Sequence, residues 1–173
     1  MIGRRRLLQL ALLAPMSKAA SALAEEARRR LLVLDFELID TSNEPVDQRA
    51  EHAKRLLRVR DDLAAALAAR RIYDIVDRAP IADDLDAILK QTYIRTCNGC
   101  ELSLAKKAAA DLVLTGVVNK VSTLILSMGV SIARVSTGGL IYHQGFDFRG
   151  DNDRSWARAT TFFVDRIARD PPV

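Results

Sequence analysis

The sequence predicts a mixed α/β domain, a five-stranded mixed sheet flanked by helices in the order β-α-β-α-α-β-β-β-α. Three observations carry this. Five short segments are rich in aliphatic, β-branched and aromatic residues with strand periodicity. The first strands are separated by stripes of apolar residues at helical spacing, and such βαβ-like units imply parallel pairing. The last strands are joined by a turn, which implies antiparallel pairing. No repeat or low-complexity block interrupts the pattern, so one domain accounts for it.

The first strand runs from Leu31 to Ile39, with Leu32, Leu34, Phe36 and Leu38 expected on one face and Leu31, Val33, Asp35 and Glu37 on the other. Apolar residues on both faces at its start indicate an interior strand whose second half emerges toward solvent. Ser42, Asn43 and Pro45 supply a turn. From Arg49 to Arg70, Ala53, Leu56, Leu57, Leu63, Ala64 and Leu67 form one helical stripe, and Asp47 is placed to cap it. Ile72 to Val76 is rich in β-formers and reads as a short strand. Ile81, Leu85 and Leu89 share a face of a short helix over Pro80 to Lys90. A further helix is expected from Glu101 to Ala110, then strands over Leu112 to Val121 and Leu124 to Val135. Ser136-Thr137-Gly138-Gly139 turns the chain into the fifth strand, Leu140 to Phe148. Leu140, Tyr142, Phe146 and Phe148 are expected on its core side, and His143, Asp147 and Arg149 outside. Asp151, Asn152 or Asp153 caps the last helix, whose inner stripe is Trp156, Ala159, Phe163 and Ile167.

Before the first strand, residues 1–24 read as a cleavable export signal. Arg4, Arg5 and Arg6 precede an apolar run from Leu7 to Pro15, and Ala22-Leu23-Ala24 is an Ala-x-Ala cleavage site. The run is shorter than the ~20 residues a membrane span needs. General secretion is the expected route, with the twin-arginine route as the alternative. Cleavage after Ala24 leaves residues 25–173 as the single domain, in the periplasm and without stable membrane insertion. It removes four basic residues and no acid, so the net charge falls from +4 to zero. The long-range attraction to nucleic acid or anionic lipid goes with it.

Cys97 and Cys100 are the only cysteines. In an oxidising compartment two thiols this close are expected to join, and Asn98-Gly99 provides the turn. The alternative is a thiol–disulfide redox centre, since Cys100 lies near a helix N-terminus, where a thiol pKa falls. Zinc would need two more ligands, and only His52 and His143 offer imidazoles. His52 is assigned to the polar side of its helix and His143 to the polar face of its strand. Asp35 and Glu37, two residues apart on one strand, would stand ~7 Å apart, a separation open to acid–base work or a hard cation. Asp151 and Asp153 could serve a cation loop, but the further acids an EF-hand needs are missing. Phosphate loops, serine elbows and metalloprotease helices are absent from the sequence. No catalytic residue, metal or cofactor is therefore assigned, and the candidate binding residues are Asp35, Glu37, His143, Asp151 and Asp153.

Leu32-Val33-Leu34-Asp35-Phe36 resembles the first strand of the TolB amino-terminal domain and its relatives, CsgG and LpoB. Ala110-Asp111-Leu112-Val113-Leu114-Thr115-Gly116 is similar to the Gly-Ala-Asp-x-Val-x-x-Gly passage that opens their central strands. Ala109 stands where those relatives often have glycine, and Thr137-Gly138 matches their Thr-Gly between two strands. Cys97-x-x-Cys100-Glu101 and Arg149-Gly150-Asp151-Asn152-Asp153-x-Ser155-Trp156 resemble a small family of secreted bacterial proteins. Its genes often lie near those of quinoprotein alcohol dehydrogenases. The resemblance implies a non-enzymatic envelope domain that contacts other proteins, an envelope or periplasmic protein being the expected partner.

Overall fold

The computed structural model describes residues 28–172; the expected export segment lies outside them. The elements in chain order are β1 (Arg30–Asp40), α1 (Arg49–Ala69), β2 (Asp74–Ile75), α2 (Ala82–Leu89), α3 (Cys100–Lys107), β3 (Leu112–Lys120), β4 (Ile125–Arg134), β5 (Leu140–Arg149) and α4 (Asp153–Arg169). Short 3₁₀ turns at Ala79–Ile81 and Ile94–Thr96 precede α2 and α3. The sheet order is β2-β1-β3-β4-β5. β1 runs parallel to β2 and β3, and the β3-β4-β5 meander is antiparallel. This is the mixed architecture the segment order implies.

One face of the sheet is closed by α1 and α4. Leu31, Val33 and Phe36 meet Leu63 and Leu67 of α1 and Trp156 and Phe163 of α4 in the larger core. On the opposite face, α2 with the turn before it and α3 cover Leu32, Leu34 and Val113 with Ile81, Leu85, Leu104 and Ala105. That second layer stops at the start of β3. Among the described residues, no helix covers the outer halves of β3, β4 and β5 on this side.

β1 departs from strict alternation. Its register against β3 shifts between Val33 and Phe36, a bulge that inserts one residue and inverts the faces beyond it. Leu32 and Leu34 therefore pack with α2 and α3, whereas Phe36 and Leu38 turn to the α1–α4 side. The expectation that all four share a face is corrected by that extra residue. A similar shift in the β4–β5 register, between Ile132 and Ala133, takes Leu140 off the core side, and it is 60% exposed. Beyond that shift, Tyr142, Phe146 and Phe148 keep the core orientation expected of them.

Phe36 explains a glycine. Its ring lies directly over Gly116, and a Cβ built there would overlap the ring. β1 and β3 approach with an aromatic side chain filling the space a side chain on β3 would need.

The ends of two helices have a shared form. After α1, Ile72 N–H donates to Leu67 O and Arg71 N–H to Ala68 O. After α3, Ala110 N–H donates to Ala105 O and Ala109 N–H to Lys106 O. Both are Schellman motifs, which place one residue in the left-handed region. Here those residues are Arg71, φ 56°, and Ala109, φ 53°, rather than glycine. Ala109 thus sits at a position where glycine is favoured. At the helix starts, Gln48 rather than Asp47 is the cap of α1, while the Asp47 carboxylate accepts from Arg49 N–H at 3.0 Å. Asn152 caps α4 by accepting from Ser155 N–H at 3.1 Å.

Candidate interaction surface

The uncovered half of the second face forms a shallow trough in two connected parts. The outer part, about 520 Å³, is floored by Thr115, Val117, Ser127, Gly129, Ser131 and Gly145, with His143 and Asp147 at its β5 side. The inner part, about 370 Å³, continues from Thr115 and Ser131 to Asp35, Glu37, Arg95 and the loop Asn98-Gly99. Small side chains on β4 keep the floor low. His143 Nδ1 lies 2.9 Å from Ser131 Oγ, which ties its ring across the two strands. Asp35, Glu37 and His143, chosen from sequence, all line this trough. Asp151 and Asp153 do not.

Asp35 and Glu37 were expected to emerge into solvent on one face; both are instead held inside by arginines. Asp35 sits in the β1 bulge and accepts from Arg60 Nη1 at 2.6 Å and Arg78 Nη2 at 2.7 Å. Burial raises its pKa, but hydrogen bonds from Arg78 and Arg60 outweigh that, leaving it below the ordinary carboxylate value. Glu37 is 8% exposed. It accepts from Ile94 N–H at 2.5 Å and from Arg95 Nη1 at 2.7 Å. The Arg95 guanidinium in turn lies 4.0 Å from the Tyr93 ring centroid, a cation–π contact. With their oxygens so occupied, the two carboxylates act as anchors: Asp35 fixes α1 and the turn before α2, and Glu37 fixes the turn before the cysteine loop.

In that loop the sulfurs of Cys97 and Cys100 lie at disulfide distance, with Cα atoms 5.7 Å apart. Asn98, φ 55°, and Gly99, φ 99°, make the reversal, and Cys100 is the first residue of α3. Glu101 brings a carboxylate oxygen within 4.8 Å of both sulfurs.

Asp151 lies at the far side of the sheet in a buried polar cluster. Its side chain is fully buried. It accepts from Arg55 Nη1 at 2.8 Å and Trp156 Nε1 at 2.9 Å, and its Oδ2 lies 2.7 Å from His52 Nε2. Lys120 Nζ, 3.7 Å away and itself buried, donates to Glu44 at 2.8 Å and Asp40 at 3.3 Å. Burial lowers the Lys120 pKa, but Glu44 and Asp40 outweigh it and raise it above its ordinary value. Asp153 is salt-bridged to Arg55 and Arg58. This cluster joins α1, the end of β3 and the start of α4, and it absorbs the carboxylates a cation loop would need. His52, assigned to a solvated face, is buried against Trp156 at 6.2 Å between ring centroids. Sequence reasoning missed Arg55 and Lys120 as well: a lone basic residue in an amphipathic segment gives no sign of a partner 96 positions away, as Asp151 is from Arg55, or 76 away, as Glu44 is from Lys120.

A family model named DUF3280, described as "Protein of unknown function (DUF2380)", matches residues 29–167. The chain belongs to this family. No curated protein matches the sequence. Among solved structures, the fold is similar to the LpoB C-terminal domain from Salmonella enterica, 17% identical with a TM-score of 0.51, covering 70% of this chain and 82% of that one. It is also similar to lipoprotein GNA1162 from Neisseria meningitidis, 14% identical with a TM-score of 0.52, covering 82% of this chain and 99% of that one. TolB from Acinetobacter baumannii is 11% identical with a TM-score of 0.48, covering 86% of this chain and 30% of that one. For this DUF3280 member the likeness to LpoB and GNA1162 establishes the fold that the strand motifs implied. Among its described residues, no helix is long and apolar enough to cross a membrane.

Proposed function

We propose that this DUF3280 protein is a non-enzymatic accessory module of the bacterial envelope, exported to the periplasm, that docks a protein partner on the open trough. The observation that carries the reading is the uncovered half-face of β3, β4 and β5. It is floored by small side chains, and at its inner end Asp35, Glu37 and Arg95 are already fixed by internal partners. Such a surface offers shape and backbone-level access to a polypeptide, without a poised nucleophile or base. The similarity to a protein titled a lipoprotein supports an envelope setting. The sequence resemblance to proteins encoded beside quinoprotein alcohol dehydrogenases points to such a system as the neighbourhood.

Gly129 supplies the test. A Cβ there meets only Val117 O at 4.0 Å, so Gly129→Arg raises an obstacle in the trough without disturbing the core. Affinity capture from periplasmic extract should recover an envelope protein with the wild type and lose it with Gly129→Arg at unchanged thermal stability. Equal capture by both would refute the reading. The export step has its own check: mature protein from the periplasmic fraction should begin at Glu25, and an intact Met1 on cytosolic protein would contradict it.

A further inference from the structure

The two edges of the sheet are managed differently. β2, at one edge, has two residues. β5, at the other, has ten, with neither proline nor lysine among them, and its register is regular from Tyr142 to Arg149. Short strands, proline, lysine and bulges are the usual protections of a sheet edge against pairing with another chain. Along this stretch β5 has none of these, and its charged side chains are limited to Asp147 and Arg149.

Its hydrogen-bonding phase follows from the register. Gly150 N–H donates to Leu124 O, so in an antiparallel ladder the even-numbered residues of β5 bond to β4. The N–H and C=O groups of His143, Gly145, Asp147 and Arg149 then point outward. Gly145 O accepts from the Gln144 side chain of its own strand at 3.1 Å, a local substitute for a neighbouring strand.

We propose that the protein pairs with a second copy of itself along β5, antiparallel about a two-fold axis at Gly145, to form one continuous sheet across the dimer. The outward phase allows only registers that set odd residues opposite odd ones. Centring on His143 or Asp147 would set like residues face to face, centring on Phe146 would oppose His143 to Arg149, and centring on Gln144 would leave His143 opposite Gly145 and Asp147 opposite Ile141, with no polar pair. Centring on Gly145 places His143 of each copy opposite Asp147 of the other, twice, on the open face. An imidazole N–H donor opposite a carboxylate acceptor, on both sides of the axis, therefore selects this register. On the reverse face, Phe146 is in ring contact with Phe162 of α4 at 4.3 Å between centroids, and Phe162 is 36% exposed beside the edge. Pairing would cover that apolar pair from both copies, and it would extend the trough across the dimer.

Sedimentation velocity on the purified protein should show a monomer–dimer equilibrium at micromolar concentrations. Asp147→Lys should raise the dissociation constant about tenfold by mismatching both cross-strand pairs. Combining it with His143→Glu sets a carboxylate opposite each new lysine and should restore the dimer. Gly145→Pro removes an outward N–H that β4 does not use and should give a monomer; the charge variants stand alone if that variant fails to fold. A wild type that stays monomeric, a dimer indifferent to Asp147→Lys, or a double variant without recovery would overturn the proposal. A monomer that still captures its partner through the trough would overturn this proposal and leave the docking function standing.

Discussion

Ala109 and Arg71 each hold a left-handed conformation that costs an L-residue roughly 1–2 kcal/mol. Glycine has no such penalty but loses more backbone entropy on folding. Ala109→Gly and Arg71→Gly should therefore each stabilise the fold by about 1 kcal/mol in urea denaturation. A loss of stability at Ala109 would show that its methyl group packs better than its φ indicates. Asp151 has the opposite sensitivity. Truncating it to alanine strands Arg55 and Trp156 Nε1 and leaves Lys120 and His52 beside an empty acceptor. A loss of about 3–5 kcal/mol is expected in the same assay, the range for breaking a buried pair. Neither result was legible in the sequence beyond its local half. Ala109 was visible as a departure from glycine, but its φ was not. Asp151 was visible as a candidate cap, and its distant partners were not.

Among the elements, strands and helices were recognised in order because their periodicities are local. The bulge at Leu34–Asp35 was not, because it is set by how β1 meets β3. Alternation alone put Leu32 and Phe36 together, and one extra residue separates them into two cores. The same bulge explains why Asp35 reaches Arg60 and Arg78 while Glu37 reaches Arg95. Gly116 tests the contact between these strands. Gly116→Ala forces the Phe36 ring or the β3 backbone to move, and overpacking of this kind costs typically 1–3 kcal/mol. Combining it with Phe36→Leu should recover part of the loss in a double-mutant cycle. Strict additivity would mean that the two positions do not compete for the same space.

Across the molecule, acid should weaken the fold through carboxylates fixed by basic partners. The Glu44 pKa is held down to about 2 from its ordinary 4.5, first by Lys120 and then by the hydroxyl and N–H of Thr123. Because the folded value lies below the unfolded one, its contribution is complete above about pH 4.5 and is lost as pH falls toward about 2. Asp35 shifts in the same direction. Thermal midpoints should hold steady above that window and fall through it, with a shallower fall in Glu44→Gln. An equal acid slope in the variant would remove Glu44 from the account. The sheet's half-covered face is also a whole-molecule property. Sequence reasoning found three trough residues, Asp35, Glu37 and His143, from their chemistry. The trough itself depends on where α2 and α3 stop, which the pattern along the chain does not state.

The docking claim is tested most directly by photo-crosslinking in living cells. A photoreactive residue at Ser131, in the trough, is compared with one at Asp165 on α4, outside it. The account expects an envelope-protein adduct at position 131 and none at 165. Adducts at 165 alone, or equal labelling at both, would contradict it.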